Sequence, residues 1–410
     1  MARITPSLPP KHDTARTAGE TSNSPGCSIA VAACTAPGAS EAAPADTAKL
    51  DASGAHPATP LAEAPFTVQE IASFNEPWAM TFVPGTRAAL ITEKSGKLKL
   101  WQENGPTQDV AGVPAVAYGG QGGFGDVIVA PDFTTSGTVY LSWVEAGTGK
   151  NFGAVVGKAK LVQGATPRLE GLQIIWKQDP KVEGRGHFSH RLAFSPDGKY
   201  LFIGSGERQK FDPAQDMKAN LGKILRLNPD GSVPSDNPFA DQGGVTAQMW
   251  SLGHRNILGL AFDATGKLWN QEMGPKGGDE VNLVEAKANY GYPIVSNGDH
   301  YDGREIPDHS TRPEYNAPEI TWTPVISPSS LIFYTGSLFP QWRGSAFIGA
   351  LSGQALVRVT IDGNSAREAE RWPMGARIRG VEQAADGSIY LLEDQRQGSG
   401  GRLLRLTPAG

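Results

Sequence analysis

From residue 66 onward one unit recurs along the chain: a turn containing glycine, then a short apolar run. Six copies stand out: "VPGTRAALITEK" (83–94), "DFTTSGTVYLSWV" (132–144), "SPDGKYLFIGSG" (195–206), "DATGKLWNQEMG" (263–274), "FPQWRGSAFIGAL" (339–351) and "AADGSIYLLED" (384–394). Most are followed after a further turn by a second run, as in "GKLKLW" (96–101), "QALVRVTIDG" (354–363) and "GRLLRLTP" (401–408). Six copies in this part of the chain average about 58 residues, which suits a four-stranded sheet with its loops. Radial repetition of such sheets gives an all-β fold, a six-bladed β-propeller of four-stranded antiparallel sheets over residues 65–410. A two-sheet sandwich fits less well, because the repeats are too numerous and too evenly marked. The last run is placed to pair beside "FTVQEIASF" (66–74) and close the ring. Helical periodicity is weak throughout, with candidates only near 214–222.

Composition agrees and narrows the function. Glycine supplies 50 of the 410 residues, and aromatics are spread along the chain, favouring short strands and tight turns. The net charge of −5 comes from mixed signs, with no basic face for nucleic acid and no long acidic run. No apolar run reaches 18 residues, so no transmembrane helix is expected. Residues 1–64 differ in kind. They are rich in Ala, Pro, Ser, Thr and Gly, and read as a disordered leader or linker. Within them "SIAVAAC" ends at Cys34, and "VAAC" looks like the cleavage box of a bacterial lipoprotein signal. That suggests a periplasmic or exported chain, with lipid attachment at Cys34 as one option. The short apolar patch and Glu20 upstream count against an ordinary export signal. Cys27 and Cys34 are the two cysteines, so the body has no disulfide or cysteine metal site.

Propellers bind ligands at the mouth of the central channel, on the loops entering each blade. Five stretches place unusual polar residues beside glycine. "YGGQGGFGDV" (118–127) presents Gln121 between four glycines; a plain turn with Gln121 in solvent is the competing reading. "GRGHFSHRLAFSPDGK" (184–199) sets His187 before a strand, where a neutral imidazole could take a proton. A lone histidine is more often one bonded to a loop carbonyl, and His190 is the neighbour most easily confused with it. "MWSLGHRNILGLAF" (249–262) buries Arg255 and Asn256 in an apolar setting, which demands an anion or a strong acceptor. "EMGPKGGDEVNLVEAKANYGYP" (272–293) gathers Gly274, Pro275, Asp279, Glu280 and Tyr290 in a tight loop. Its carboxylates and carbonyls suit Ca²⁺, although a solvated acidic turn is as good a reading. "GARIRGV" (375–381) puts Arg377 and Arg379 on one side of a strand end, a pair suited to a polyanion; taken alone, two surface arginines is the more common reading. Together these demands fit a small ligand with several carboxylates. A phosphate ligand or nicotinamide cofactor fits poorly, since there is no P-loop and no G-x-G-x-x-G in a βαβ setting.

The chain resembles the soluble pyrroloquinoline quinone (PQQ)-dependent sugar dehydrogenases, in particular the aldose branch of the glucose/sorbosone dehydrogenase family. The likeness covers about residues 66–408. It rests on "EPWAMTFVPG", "GGQGGFGDVIVAPDF", "LGKILRLNPDGSVPSDNPF", "GHRN", "EMGPKGGDEVNLV", "ANYGYPIVSNGDHYDG" and "RIRGV", in that order. It implies a six-bladed propeller that oxidises an aldose at its anomeric carbon to a lactone and passes electrons to an external acceptor. His187 matches the general base, and Gln121 a residue facing substrate and cofactor. Arg255, Asn256 and Tyr301 match PQQ contacts, and Arg377 and Arg379 the pair that meets its carboxylates. Gly274 and Pro275 match carbonyl donors to the Ca²⁺ on PQQ; Glu280 and the Tyr290 backbone match a second, structural Ca²⁺ site. The departures are "RNILG" (255–259) where the family often has RNPQG, His190 in place of a small residue, Gly380 in place of a frequent Asp, and Ser352 where the glucose-specific branch has lysine. Two rival readings stay open: a Ca²⁺-dependent propeller lactonase, and a binding propeller that has lost its cofactor.

Overall fold

The computed structural model describes residues 64–410 and the two-residue strand Thr59–Pro60. The expectations for the leader, including Cys34, lie outside the described residues. Among the described residues no helix is long and apolar enough to cross a membrane.

Six antiparallel sheets make the blades. Blade 1 begins with Pro77–Phe82 and Ala88–Glu93, blade 2 with Phe124–Val129 and Thr138–Ala146, and blade 3 with Ser189–Phe194 and Leu201–Ser205. Blade 4 begins with Ile257–Phe262 and Leu268–Glu272, blade 5 with Pro328–Phe333 and Ala346–Ala350, and blade 6 with Ile378–Gln383 and Ile389–Glu393. Each is completed by two further strands. Blades 2 and 6 carry an extra two-residue strand, a small departure from uniform four-stranded sheets. The ring closes as its sequence suggests: Phe66–Ser73 lies antiparallel to Arg402–Pro408, with Val68 opposite Leu406. The weak helical candidate at 214–222 is not a helix. A single 3₁₀ turn, Asp212–Ala214, leads into a run of turns there, with Pro213 just ahead of the window and Gly222 at its end.

Side-chain alternation explains why the second strands read as unbroken apolar runs. In Ala88–Glu93, Ala88 and Leu90 face blade 2, while Ala89 and Ile91 face blade 6. Each of the six blade–blade interfaces has its own apolar cluster. Both faces of every blade are thus covered, and the ring is held by packing between neighbours.

The same pairing places the site. The first strand of a blade runs opposite the second, so the first strand's start and the second strand's end share one face. Pro77 pairs with Glu93, Ser189 with Ser205, Ile257 with Glu272 and Ile378 with Glu393. The loops ahead of the first strands, which carry Gln121, His187, Arg255 and Arg377, therefore meet the residues just beyond the second strands.

Candidate active site

His187 enters its blade through strained backbone. His187, Ser189 and His190 hold φ of 47°, 58° and 54°, a region unusual for residues with a side chain. The turn works because residue 206 is glycine: a Cβ there would lie 2.0 Å from the His187 carbonyl oxygen. The His187 N–H donates to Gln121 Oε1 at 2.7 Å. Its ring Nδ1 is hydrogen-bonded to Glu207 Oε1. Glu207 in turn accepts from the backbone N–H of Lys210 (2.6 Å) and Phe211 (2.8 Å) through Oε2. Burial disfavours the Glu207 carboxylate, but His187, the Phe211 N–H and Arg255 outweigh it and its pKa is lowered. Burial also lowers the His187 pKa, against the opposing pull of Glu207. The imidazole is therefore neutral at pH 7, oriented by a carboxylate through Nδ1, with no described residue bonded to Nε2.

Arg255 is the buried guanidinium whose partner the sequence left open. Its Nη1 donates to the carbonyls of Met273 (2.8 Å) and Gly274 (2.6 Å), and its guanidinium carbon lies 5.7 Å from the Tyr292 ring and 5.9 Å from that of Tyr301. Burial works against its charge, yet Tyr292, Tyr301 and Glu207 leave its pKa raised. Its neighbour His254 is a satisfied core histidine: Nε2 meets Ser251 Oγ at 2.8 Å and Nδ1 meets Glu272 Oε1 at 3.0 Å. Asn256 Oδ1 accepts from Ser189 Oγ at 3.3 Å.

These residues surround two adjoining compartments on one face of the propeller. The first, about 180 Å³, is lined by Gln121, Asn256, Arg377 and Arg379, together with Lys94 and Arg396. Asp394 Oδ2 accepts from Arg379 (2.7 Å) and Arg377 (3.4 Å), holding the two guanidiniums side by side. Lys94 Nζ and Arg396 Nη2 both donate to the Gly120 carbonyl, at 3.0 and 2.9 Å. Burial and the nearby Arg396 lower the Lys94 pKa to about 8. Against these four basic groups stand the carboxylates of Asp394 and Glu76, so the compartment favours an anion with more than one charge. The second, about 220 Å³, is lined by His187, Glu207, Arg255, Pro275, Tyr292 and Tyr301. The linings meet where Gln121 of the first accepts from the His187 N–H of the second, and where Asn256 of the first follows Arg255 of the second.

Not every expected residue faces these spaces. Tyr301 is 74% exposed and stands on the rim of the second compartment, apart from the cationic one. Ser352 is bonded to Ser327 Oγ at 2.8 Å, and Gly380 lies on the first strand of blade 6. Among the described residues no group of three or more His, Cys, Asp or Glu gathers around a point. A weaker oxygen-rich cluster is present. Glu280 pairs across the sheet with Glu272, and the Asn282 amide reaches Glu272 at 3.4 Å and Glu280 at 3.3 Å. Asn270 Oδ1 and Asn282 Oδ1 are buried there without partners. Burial and the like charge of Glu272 raise the Glu280 pKa well above its ordinary value. The Tyr290 phenol is engaged with the Leu283 carbonyl and the Glu285 N–H, while the Tyr290 carbonyl accepts from His309 Nε2 at 3.1 Å. Sequence reading missed Glu207, Asp394, Lys94 and Arg396, which lie at or shortly beyond the ends of second strands.

Fold and site together define a propeller with a cationic cavity, suited to an anionic ligand, beside an oriented neutral histidine. The chain belongs to the glucose/sorbosone dehydrogenase family, whose model matches residues 74–405. It is 37% identical over 343 residues to the aldose sugar dehydrogenase YliI of Escherichia coli (strain K12), covering 82% of this chain and 90% of that one. A crystal structure described as glucose dehydrogenase superposes with a TM-score of 0.80 at 40% identity, covering 84% of this chain and all of the other. The PQQ-bound aldose sugar dehydrogenase of Streptomyces coelicolor superposes with a TM-score of 0.68 at 25% identity, covering 84% and 99%. A sugar-oxidising propeller dehydrogenase is thus the class into which this chain falls.

Proposed function

We propose that the protein oxidises aldoses at the anomeric carbon to lactones, using PQQ as hydride acceptor and Ca²⁺ as its companion ion. The observation that carries this reading is the cavity of Lys94, Arg377, Arg379 and Arg396, tied to the His187–Glu207 pair through the hydrogen bond from the His187 N–H to Gln121. PQQ bears three carboxylates, and a compartment with four basic groups and two acids suits such an anion. The PQQ-bound family neighbour supports the same choice. When bound, PQQ supplies the redox chemistry and Ca²⁺ a Lewis acid that polarises it.

The chain's own residues do the rest. Arg377 and Arg379, kept parallel by Asp394, meet carboxylates of the cofactor, and Asn256 and Gln121 line the wall toward the substrate. Arg255 and Tyr301 border the compartment that receives the sugar. His187 Nε2 accepts the proton of the anomeric hydroxyl, while the hydrogen on the same carbon leaves as hydride. Glu207 stabilises the imidazolium so formed and keeps Nε2 pointed at its task. Electrons then pass to an external acceptor. For the ions, the crowded carboxylates of Glu272 and Glu280 and the partnerless amide oxygens beside them form a hard-oxygen set that a divalent cation would neutralise. Glu280 and the Tyr290 carbonyl would hold a structural Ca²⁺. The carbonyls of Gly274, already turned to the Arg255 cation, and Pro275 would hold the one beside the cofactor.

Dye-linked oxidation of glucose by purified protein, with and without added PQQ and Ca²⁺, tests the reading. Dye reduction that requires both is expected. Lactone hydrolysis by metal-loaded protein without PQQ would instead establish a hydrolase, and inactivity under every condition a binding propeller.

A further inference from the structure

His190 lies in the wall of the cationic cavity, stacked on Trp78 with ring centroids 5.0 Å apart and planes 10° from parallel. The space for its ring exists because residue 125 is glycine: a Cβ there would stand 1.7 Å from His190 Cε1 and 2.0 Å from Nδ1. Ser142 settles the tautomer. Its hydroxyl donates to the His190 carbonyl at 2.8 Å and accepts from the Asp126 N–H at 2.8 Å. A hydroxyl has one proton and two lone pairs, so the third contact, with His190 Nδ1 at 2.7 Å, must be a bond donated by Nδ1–H. Nε2 is then a bare acceptor. It has no hydrogen-bond partner among the described residues, and the residue lines the cavity. Burial, with Arg191 and Arg208 nearby, pushes the ring's pKa down to about 3, so it stays an acceptor at working pH.

We propose that His190 Nε2 is a fixed acceptor in an otherwise donor-rich cavity, and that it positions the ligand by taking a hydrogen bond from a ring N–H. This rests on the PQQ reading, and it is specific there. The carboxylates and quinone oxygens of oxidised, ionised PQQ only accept, and the pyrrole N–H is its one donor. The residue thus reads orientation, because a flipped ligand would turn a carboxylate or carbonyl toward an acceptor.

The test uses PQQ itself and apo protein, with binding as the readout. In ¹⁵N-histidine-labelled wild type, His190 shows a protonated Nδ1 and a bare Nε2. Addition of PQQ moves the Nε2 signal upfield as it accepts a bond. By titration, His190→Phe, which keeps the stack on Trp78, binds PQQ about tenfold more weakly, and His190→Gln recovers part of the loss. A protonated Nε2 in the apo protein, or an Nε2 signal unmoved by saturating PQQ, overturns the proposal even if the variants fail to fold. Equal affinity of His190→Phe and wild type overturns it as well. Wild type that does not bind PQQ at all overturns the cofactor reading instead, and is distinguished by that result.

Discussion

Glu207→Gln is the perturbation that isolates the chemistry of His187, and the hydrogen bonds fix its consequence. In the native protein Oε2 accepts two backbone N–H groups, from Lys210 at 2.6 Å and Phe211 at 2.8 Å, while Oε1 faces His187 Nδ1. A glutamine has one acceptor end. Turning its NH₂ toward two N–H donors would leave three buried donors facing one another, each unmade bond costing about 1–3 kcal/mol. The amide oxygen therefore stays on Lys210 and Phe211, and the NH₂ falls against Nδ1. Nδ1 must then accept, the ring proton moves to Nε2, and the nitrogen that should take the substrate proton is occupied. A tautomer reversed by the same change in a catalytic triad costs about 10⁴ in turnover. A fall of about 10³–10⁴ in kcat is expected for Glu207→Gln. Glu207 does not line the cationic cavity, so PQQ affinity should stay within about twofold of wild type. Steady-state dye-linked kinetics with PQQ at saturation, alongside a PQQ titration, measure both. A variant retaining more than a tenth of wild-type kcat would refute the assignment of His187 as an oriented base.

Because burial lowers the His187 pKa, the acid limb of kcat/KM should have its midpoint below the ordinary histidine value of about 6.5, with activity lost as pH falls through it; a limb above 7 contradicts this. Glu382 is pushed up to about 8 by burial and then by Asp126, so its proton stabilises the fold below about pH 4.5 and that stability is lost as pH rises toward 8. Glu382→Gln should raise stability at pH 8.5 by about 1–3 kcal/mol while leaving it little changed at pH 4.5, as urea titrations at the two pH values would show. Phe66 is fully buried, edge-on to Trp372 at 5.3 Å and Trp342 at 6.0 Å, so Phe66→Ala should cost about 3–5 kcal/mol in chemical unfolding by loosening the strand that closes the ring. Ca²⁺ should raise the Tm of wild type and lose that effect in Glu280→Gln; equal shifts in both would place the structural ion elsewhere.

The ring was legible because its signal repeats. Six turn-and-strand copies each point to the same unit, and the strand at 66–74 had one unpaired partner left at 401–408. The polar residues that precede first strands were readable too, since Gln121, His187, Arg255 and Arg377 each lie within two residues of a glycine in an odd polar setting. Their supports were not. Glu207 stands 20 residues from His187, and Asp394 lies 15 residues from Arg379, with no motif linking either pair. Strand pairing brings them together, and a signal for it existed: once a propeller is assumed, the polar residues just beyond each second strand, as at Lys94, Glu207 and Asp394, share a face with the loops ahead of the first. The supposed helix at 214–222 shows the opposite limit. Its apolar residues serve the loop packing, as with Ala214 and Leu221, both fully buried, while Lys223 Nζ donates to the carbonyls of Pro213, Ala214 and Leu221 and pins the segment as a loop.

The central claim is that one face of the propeller grips a polycarboxylated quinone beside a histidine base. Its most direct test is the absorption spectrum of PQQ-loaded protein in a single turnover, followed after mixing with glucose in the absence of any electron acceptor. The account predicts rapid conversion of bound PQQ to its reduced spectrum in wild type, and in His187→Ala a loaded cofactor whose oxidised spectrum persists. Reduction at the wild-type rate in His187→Ala, or wild type that takes up no PQQ, would contradict it.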